Sequence, residues 1–239
     1  MMLPEHISLL SELVISKIGI NLTENQLNQF SLFGDLLVEW NEKVNLTSIT
    51  EPEEIIVKHF LDSLTLTQWV QGDKVADIGT GAGFPGVPLK IFHEHKSFYL
   101  VDSLAKRLDF LKEAILKLGL EQVETLHFRA EDFGRDNHYR GRFDTVVSRA
   151  LARLPVLLEY AIPLLSVGGV FLAAKGSQAE EEVKESTNAL AVLGAQVKDV
   201  KKFNLGLGAD HRSIIIIEKT KETPSQYPRK AGTPAKKPL

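Results

Sequence analysis

The chain contains no cysteine among its 239 residues. That absence excludes disulfides, thiolate zinc sites, iron–sulfur clusters and cysteine nucleophiles together, and no metal is expected. An excess of basic charge is lacking too. The 28 Lys and Arg against 31 Asp and Glu leave a net charge of −3, so a polyanionic partner has to be met by a local patch rather than by the whole surface. Long hydrophobic runs are also missing. The longest, "AIPLLSVGGVFLAA", is too short and too interrupted by glycine to span a bilayer, and "MMLPEHISLL" at the N-terminus lacks the basic-then-apolar layout of a signal peptide. These absences predict a soluble, cytoplasmic protein with no membrane partner. No repeat of fixed period is visible.

What is present is 44% hydrophobic residues, enough for one sizeable core with a smaller appendage. Texture changes near residue 70 and again near 219, giving three zones: a helical N-terminal subdomain over 1–70, a main domain over 71–219 and a tail over 220–239. In the first, Leu9, Leu10 and Leu13, then Leu27, Phe30, Phe33, Leu37 and Trp40, recur at helical spacing. Thr23 with Gln26, and Thr50 with Glu53 behind Pro52, fit capping boxes. From Lys74 onward, "KVADIG", "SFYLVD", "VETLHF", "FDTVVS" and "GGVFLAA" alternate with helical stretches such as "AKRLDFLKEAILKLG". That alternation predicts a parallel sheet covered by helices. The last two strands, "AQVKDVKKFNL" and "HRSIIIIEK", are joined by a loop too short for a crossover, so they should form an antiparallel hairpin. From Lys219 to the end, six basic residues stand against one acidic, with four prolines and few apolar side chains. This composition predicts a mobile tail able to attract RNA phosphates.

The stretch "VADIGTGAGFPGVPLK" (75–90) runs from a strand through a glycine turn into a helix. Such a turn sets bare amides at the positive end of the helix, where nucleotide-like ligands bind. Gly81, Gly83 and Gly86 match a dinucleotide fingerprint, and Asp102 lies near the ~20-residue spacing of a ribose-binding acid. Electrostatics separates the candidates. A pyrophosphate against the turn would face a like charge on Asp77, at a cost of several kcal/mol in a low-dielectric cleft. S-adenosylmethionine has no phosphate, and its ammonium would be met by Asp77. On this reading Asp77, Gly79, Gly81 and Gly83 cradle the cofactor, Asp102 takes the ribose hydroxyls, and Ala130 and Glu131 in "RAEDF" stand beside the adenine. Arg149, just past the fourth strand, is placed to donate to a base oxygen or to the methionine carboxylate, and Lys175, after the fifth, to hold a phosphate. His59 and Asp62, three apart in "HFLDSL", read as a helix-face pair without a substrate role.

Together the stretches "WNEKVNLTSI", "HFLDSL", "DIGTGAGFPGVPLKI", "LVDSLAKRLDFL", "RAEDF", "SRALARL" and "AAKGS" resemble one family of class I S-adenosylmethionine-dependent methyltransferases, ribosomal RNA small subunit methyltransferase G, also called glucose-inhibited division protein B. The resemblance implies a Rossmann-like α/β fold with a seven-stranded, mostly parallel sheet. It implies cofactor contacts at Gly79, Phe84, Ala130, Glu131 and Arg149, and methyl transfer to N7 of a guanine in the decoding-centre loop of 16S ribosomal RNA. The residue inventory agrees. Without cysteine, pyrimidine C5 addition and radical methylation are closed, and the Asn/Asp-Pro-Pro-aromatic signature of exocyclic amine methylation does not follow the fourth strand. A guanine N7 carries an in-plane lone pair and no proton, so it displaces the sulfonium methyl in line without a general base. A monomer is expected. The rival readings are a dinucleotide oxidoreductase and a non-catalytic RNA-binding factor of ribosome assembly.

Overall fold

A computed structural model of the chain describes residues 2–206 and 211–239; Met1 and residues 207–210, in the loop of the expected hairpin, lie outside them. The β-rich runs form β1 (Lys74–Ile78), β2 (Ser97–Asp102), β3 (Val123–His127), β4 (Phe143–Arg149), β5 (Leu165–Lys175), β6 (Ala195–Phe203) and β7 (Arg212–Lys219). Their order across one sheet is β3-β2-β1-β4-β5-β7-β6. The first five pair in parallel, and β7 runs antiparallel to both β5 and β6. This is the expected outline. The order in which strands are added across the sheet changes sense between β1 and β4, so their C-terminal ends border the crevice where open α/β sheets take ligands.

The helices are α1 (Pro4–Ile18), α2 (Glu24–Asn41), α3 (Pro52–Ile55), α4 (Asp62–Leu64), α5 (Gly86–Phe92), α6 (Ala105–Leu118), α7 (Ala130–Arg135), α8 (Leu154–Ala161), α9 (Ala179–Glu185), α10 (Thr187–Leu193) and α11 (Thr233–Lys236). A π-helical turn, Ile56–Leu61, links α3 to α4. Helix α2 starts on the expected box: Thr23 accepts from the Gln26 amide while the Gln26 side chain accepts from the Thr23 amide. The Thr50 box is corrected, because Glu51 caps α3 and no side chain bonds its first turn. Pro52 at the start of α3 already presets its backbone and removes one unpaired donor.

The N-terminal helices do not keep a core of their own. Phe33 of α2 packs against Phe60 of the π turn, Phe110 of α6 and Phe84 of the glycine turn, with ring centroids 5.8, 6.2 and 5.3 Å apart. All four rings are buried in one apolar cluster that runs from α1 to α6. The helical layer therefore shares its core with one face of the sheet and presses directly on the turn.

The tail departs from expectation. It docks against α7 and α8 rather than running free. Arg229 makes a fork of hydrogen bonds to Glu159, a fully buried carboxylate on α8. Arg140 donates to the carbonyls of Thr223 and Tyr227, and Arg135 to that of Pro228. A segment with little apolar surface is thus held by charge-assisted bonds to the body. No helix among the described residues is long and apolar enough to cross a membrane.

Phe33→Ala should remove the ring that joins the helical layer to the turn and destabilise the protein by about 3–5 kcal/mol. Urea denaturation of the two proteins checks it, and a loss under 1 kcal/mol would mean that the layer is held elsewhere.

Candidate active site

Glycine is required at the turn by backbone conformation and by space. Gly79 and Gly81 sit at φ of 69° and 59°, a region side chains rarely adopt. A Cβ on Gly86 would overlap Leu100 and stand 2.7 Å from Asp77 Oδ2. Asp77 Oδ2 accepts from the Thr80 hydroxyl at 2.7 Å and the Gly86 amide at 2.8 Å. The carboxylate is fully buried beneath the turn, and its other oxygen has no hydrogen-bond partner. Burial pushes its pKa up to about 6, against the pull of these two bonds and of Arg149. The expectation that Asp77 stands at the turn's mouth to meet a ligand ammonium is corrected: it shapes the turn from below.

Asp102, at the end of β2, accepts from the Leu104 amide through Oδ1 and from the Gly81 amide through Oδ2, each at 2.9 Å, with Arg107 at 3.4 Å. It borders a cleft of about 160 Å³ with Gly79, Arg107, Phe128, Ala130, Ala150 and Leu151. Gly79, Asp102 and Ala130 are therefore brought together as the sequence suggested. Glu131 is not. Its carboxylate turns away, accepting from the Tyr160 hydroxyl at 3.3 Å and from the Gly232 amide of the tail at 2.8 Å. Burial, with Glu131 close by, pushes the Tyr160 hydroxyl up to about 12.

On the other side of Ala150 lies a cavity of about 410 Å³ bordered by Lys58, His59, Asp62, Arg149, Lys175 and Arg212. Arg149 is its organising group. Nη1 donates to the Lys58 carbonyl and to Asp62 Oδ2, both at 2.9 Å, and Nη2 donates to His59 Nδ1 at 3.1 Å. The guanidinium lies 5.1 Å from the Phe84 ring centroid, and the His59 ring stacks on the same phenyl at 4.3 Å. Asp62 Oδ1 also pairs with Arg212 Nε at 3.1 Å. His59 and Asp62, read as a plain helix-face pair, are thus the partners through which the helical layer meets β4.

Burial, then the Arg149 charge, lowers the His59 pKa to about 3. The ring is neutral at ordinary pH, with Nδ1 accepting from Arg149 and Nε2 facing Thr47 Oγ1 at 3.0 Å. The loop carrying Thr47 is closed by Asn41, whose Oδ1 accepts from the Leu46 and Thr47 amides. "WNEKVNLTSI" therefore acts by holding His59.

Lys175 is also corrected. Its Nζ donates to the Ala152 carbonyl at 2.6 Å and to Glu182 Oε2 at 2.8 Å. Buried ammonium needs such partners, and Lys175 holds the β4–α8 loop rather than presenting charge to a phosphate. Arg212 is the more open cation of the cavity, with 29% of its side chain exposed. No motif marked it, since it opens an ordinary β-rich run.

Asp77 gives a pH test. Its folded pKa lies above the carboxylate's usual value, so the native state holds the proton more tightly than the unfolded chain, and Asp77 costs stability as pH rises from about 4 through about 6. The melting temperature of Asp77→Asn relative to wild type should therefore rise across that window and level off above it. A difference that does not change with pH would show that Asp77 titrates normally.

The family model described as rRNA small subunit methyltransferase G matches residues 26–215. A ribosomal RNA small subunit methyltransferase G of Desulfitobacterium hafniense (strain Y51) is 66% identical over 238 residues, covering 100% of both chains. One of Desulforamulus reducens is 49% identical over 222 residues, covering 92% of each. Among solved structures, a SAM-dependent methyltransferase from Aquifex aeolicus superposes with a TM-score of 0.55 at 19% identity, over 77% of this chain and 98% of that one. The last likeness is one of fold alone. With the family match over most of the chain, the turn, the Asp102 cleft and the cationic cavity beside it fall into place, and the chain belongs to the rRNA small subunit methyltransferase G family.

Proposed function

We propose that this protein is an S-adenosylmethionine-dependent methyltransferase that modifies N7 of a guanine in 16S ribosomal RNA. The observation that carries the choice of atom is the make-up of the cavity beyond Ala150. Among its described lining residues, no proton acceptor is at liberty. Both ring nitrogens of His59 have partners, and the Asp62 carboxylate is clamped between Arg149 and Arg212. A nucleophile that must lose a proton before attack is poorly served there. Guanine N7 has none to lose, and O6 beside it accepts from cations such as Arg149 and Arg212.

The chain fits the cofactor. Gly79 borders the cleft without a side chain, Gly81 gives its amide to Asp102, and Asp102 stands at the strand end where a vicinal diol is bound. Ala130 borders the adenine side, and Phe84 stiffens the far end by carrying Arg149 and His59 on its ring. When bound, S-adenosylmethionine supplies an electrophilic methyl on a sulfonium. This chain contributes position: Arg149, fixed by three acceptors, holds the floor of the cavity against which a base is oriented, and such placement is worth several powers of ten in rate. The cations of the cavity also give RNA a local anchor on a chain of net charge −3.

A monomer is the working unit we propose. Its substrate sets its place in the cytoplasm, where small subunits are assembled.

Arg149→Ala should slow methyl transfer by about tenfold to a thousandfold through lost positioning, and weaken S-adenosylhomocysteine binding as well. Single-turnover transfer to 16S RNA, with nucleoside mass spectrometry for 7-methylguanosine, measures the first, and calorimetry the second. RNA binding by wild type without any 7-methylguanosine would favour a non-catalytic assembly factor instead.

A further inference from the structure

The tail reaches the cofactor cleft from behind. Arg229 is fixed by its fork on Glu159, and three residues later the Gly232 amide donates to Glu131 Oε1 at 2.8 Å. Glu131 directly follows Ala130, which borders the cleft. Helix α11 follows at once, and Ala235, Pro238 and Leu239 close a second cavity, of about 580 Å³, against Leu151, Val156 and Tyr160. Leu151 belongs to both spaces. It lines the Asp102 cleft, and its methyl groups lie where a Cβ on Gly79 would be, 2.7 Å away. The start of α7, beside Ala130, is therefore bonded directly to the tail, while the β4–α8 loop faces α11 across the second cavity.

We propose that residues 230–239 are a positioning element of the nucleoside half of the cofactor site, acting through Glu131. The inference rests on the reading of the cleft as the S-adenosylmethionine site. A buried carboxylate with a single hydroxyl partner is poorly satisfied, and the Gly232 amide supplies a second donor. With that bond in place the start of α7 at Ala130–Glu131 is tied to the tail. Glu131 touches the nucleoside side through its backbone neighbour, while its side chain faces the tail.

Two changes separate this role from simple docking. Ending the chain at Arg229 keeps the Glu159 fork and removes residues 230–239, with them three lysines and the Lys237 carbonyl that also accepts from Arg229. In the full chain, Gly232→Pro deletes the amide hydrogen and, with φ fixed at about −65°, also breaks the local turn, whereas Gly232→Asn keeps the hydrogen and tolerates the local φ of 80°. Binding of S-adenosylhomocysteine and of 5′-methylthioadenosine, which share the adenosine but not the amino acid, is measured by calorimetry, together with binding of 16S RNA and the melting temperature. Both nucleosides should lose affinity by about tenfold in the shortened chain and in Gly232→Pro, equally for the two ligands, with RNA affinity unchanged in Gly232→Pro, which keeps every lysine of the tail, and Gly232→Asn like wild type. Wild-type affinities in both disruptive variants would overturn the inference while leaving the cofactor reading intact. An equal loss for RNA in Gly232→Pro would also overturn it, marking general destabilisation. Should the shortened chain fail to fold, Gly232→Pro decides. Failure of the wild-type protein to bind either nucleoside would instead overturn the cofactor reading itself, and this inference with it.

Discussion

A buried guanidinium needs acceptors on several sides, and the position of Arg149 at the end of β4 turns that need into architecture. Its side chain is only 14% exposed, so water supplies little of what it requires. The acceptors come from the π-helical turn and α4: a main-chain carbonyl, an imidazole nitrogen and a carboxylate. Removing any one would leave charge unpaired in a poorly solvated place, at a cost that a surface ion pair never carries. The helical layer is consequently locked to the end of the central strand at the switch point of the sheet. Lysine would not serve, because a point charge lacks the flat fork that reaches three acceptors while lying against Phe84.

The fold was largely legible because each element carries its own periodic signal. Strands were marked by β-branched runs, helices by apolar spacing, and the antiparallel end by the shortness of one connection. Gly79, Asp102 and Ala130 were legible for a related reason: they lie at strand ends, and a parallel sheet brings successive strand ends to one edge. Side-chain partners are another matter. Arg149 meets Lys58, His59 and Asp62 across nearly ninety residues of chain, and nothing local in "HFLDSL" separates a helix-face pair from an arginine clamp. Lys175 at a strand end looks the same whether its partner is a phosphate or Glu182. Arg212 starts a run of isoleucines without any mark.

The tail eluded composition for a physical reason. Disorder is judged from the apolar area a segment can bury against the entropy of ordering it, and this segment has little such area. Its order comes from the body, where Glu159, Arg135 and Arg140 supply its hydrogen-bond partners. Glu159 without Arg229 would be a buried carboxylate lacking its counter-charge, so docking relieves a cost already present in the main domain. Order here is a property of the pair and cannot be read from either member alone.

Charge is distributed by depth around the turn. Asp77 lies beneath it and Asp102 beside it, both bound to backbone amides of the turn, while Arg149, Lys58 and Arg212 gather on the far side of Ala150. The amides thus keep their conformation through carboxylates that face protein. Ala150, at φ of 53°, is one of only two non-glycine residues with positive φ among those described, and strain of this kind persists only where its surroundings hold it. The hold is visible: Lys175 binds the Ala152 carbonyl, and Glu182 binds both Lys175 and the Leu154 amide. One strained residue, fixed from behind by a buried ion pair, therefore forms the partition between nucleoside cleft and cationic cavity. The two spaces are therefore parted by a loop whose position is set, through Lys175, by the end of β5.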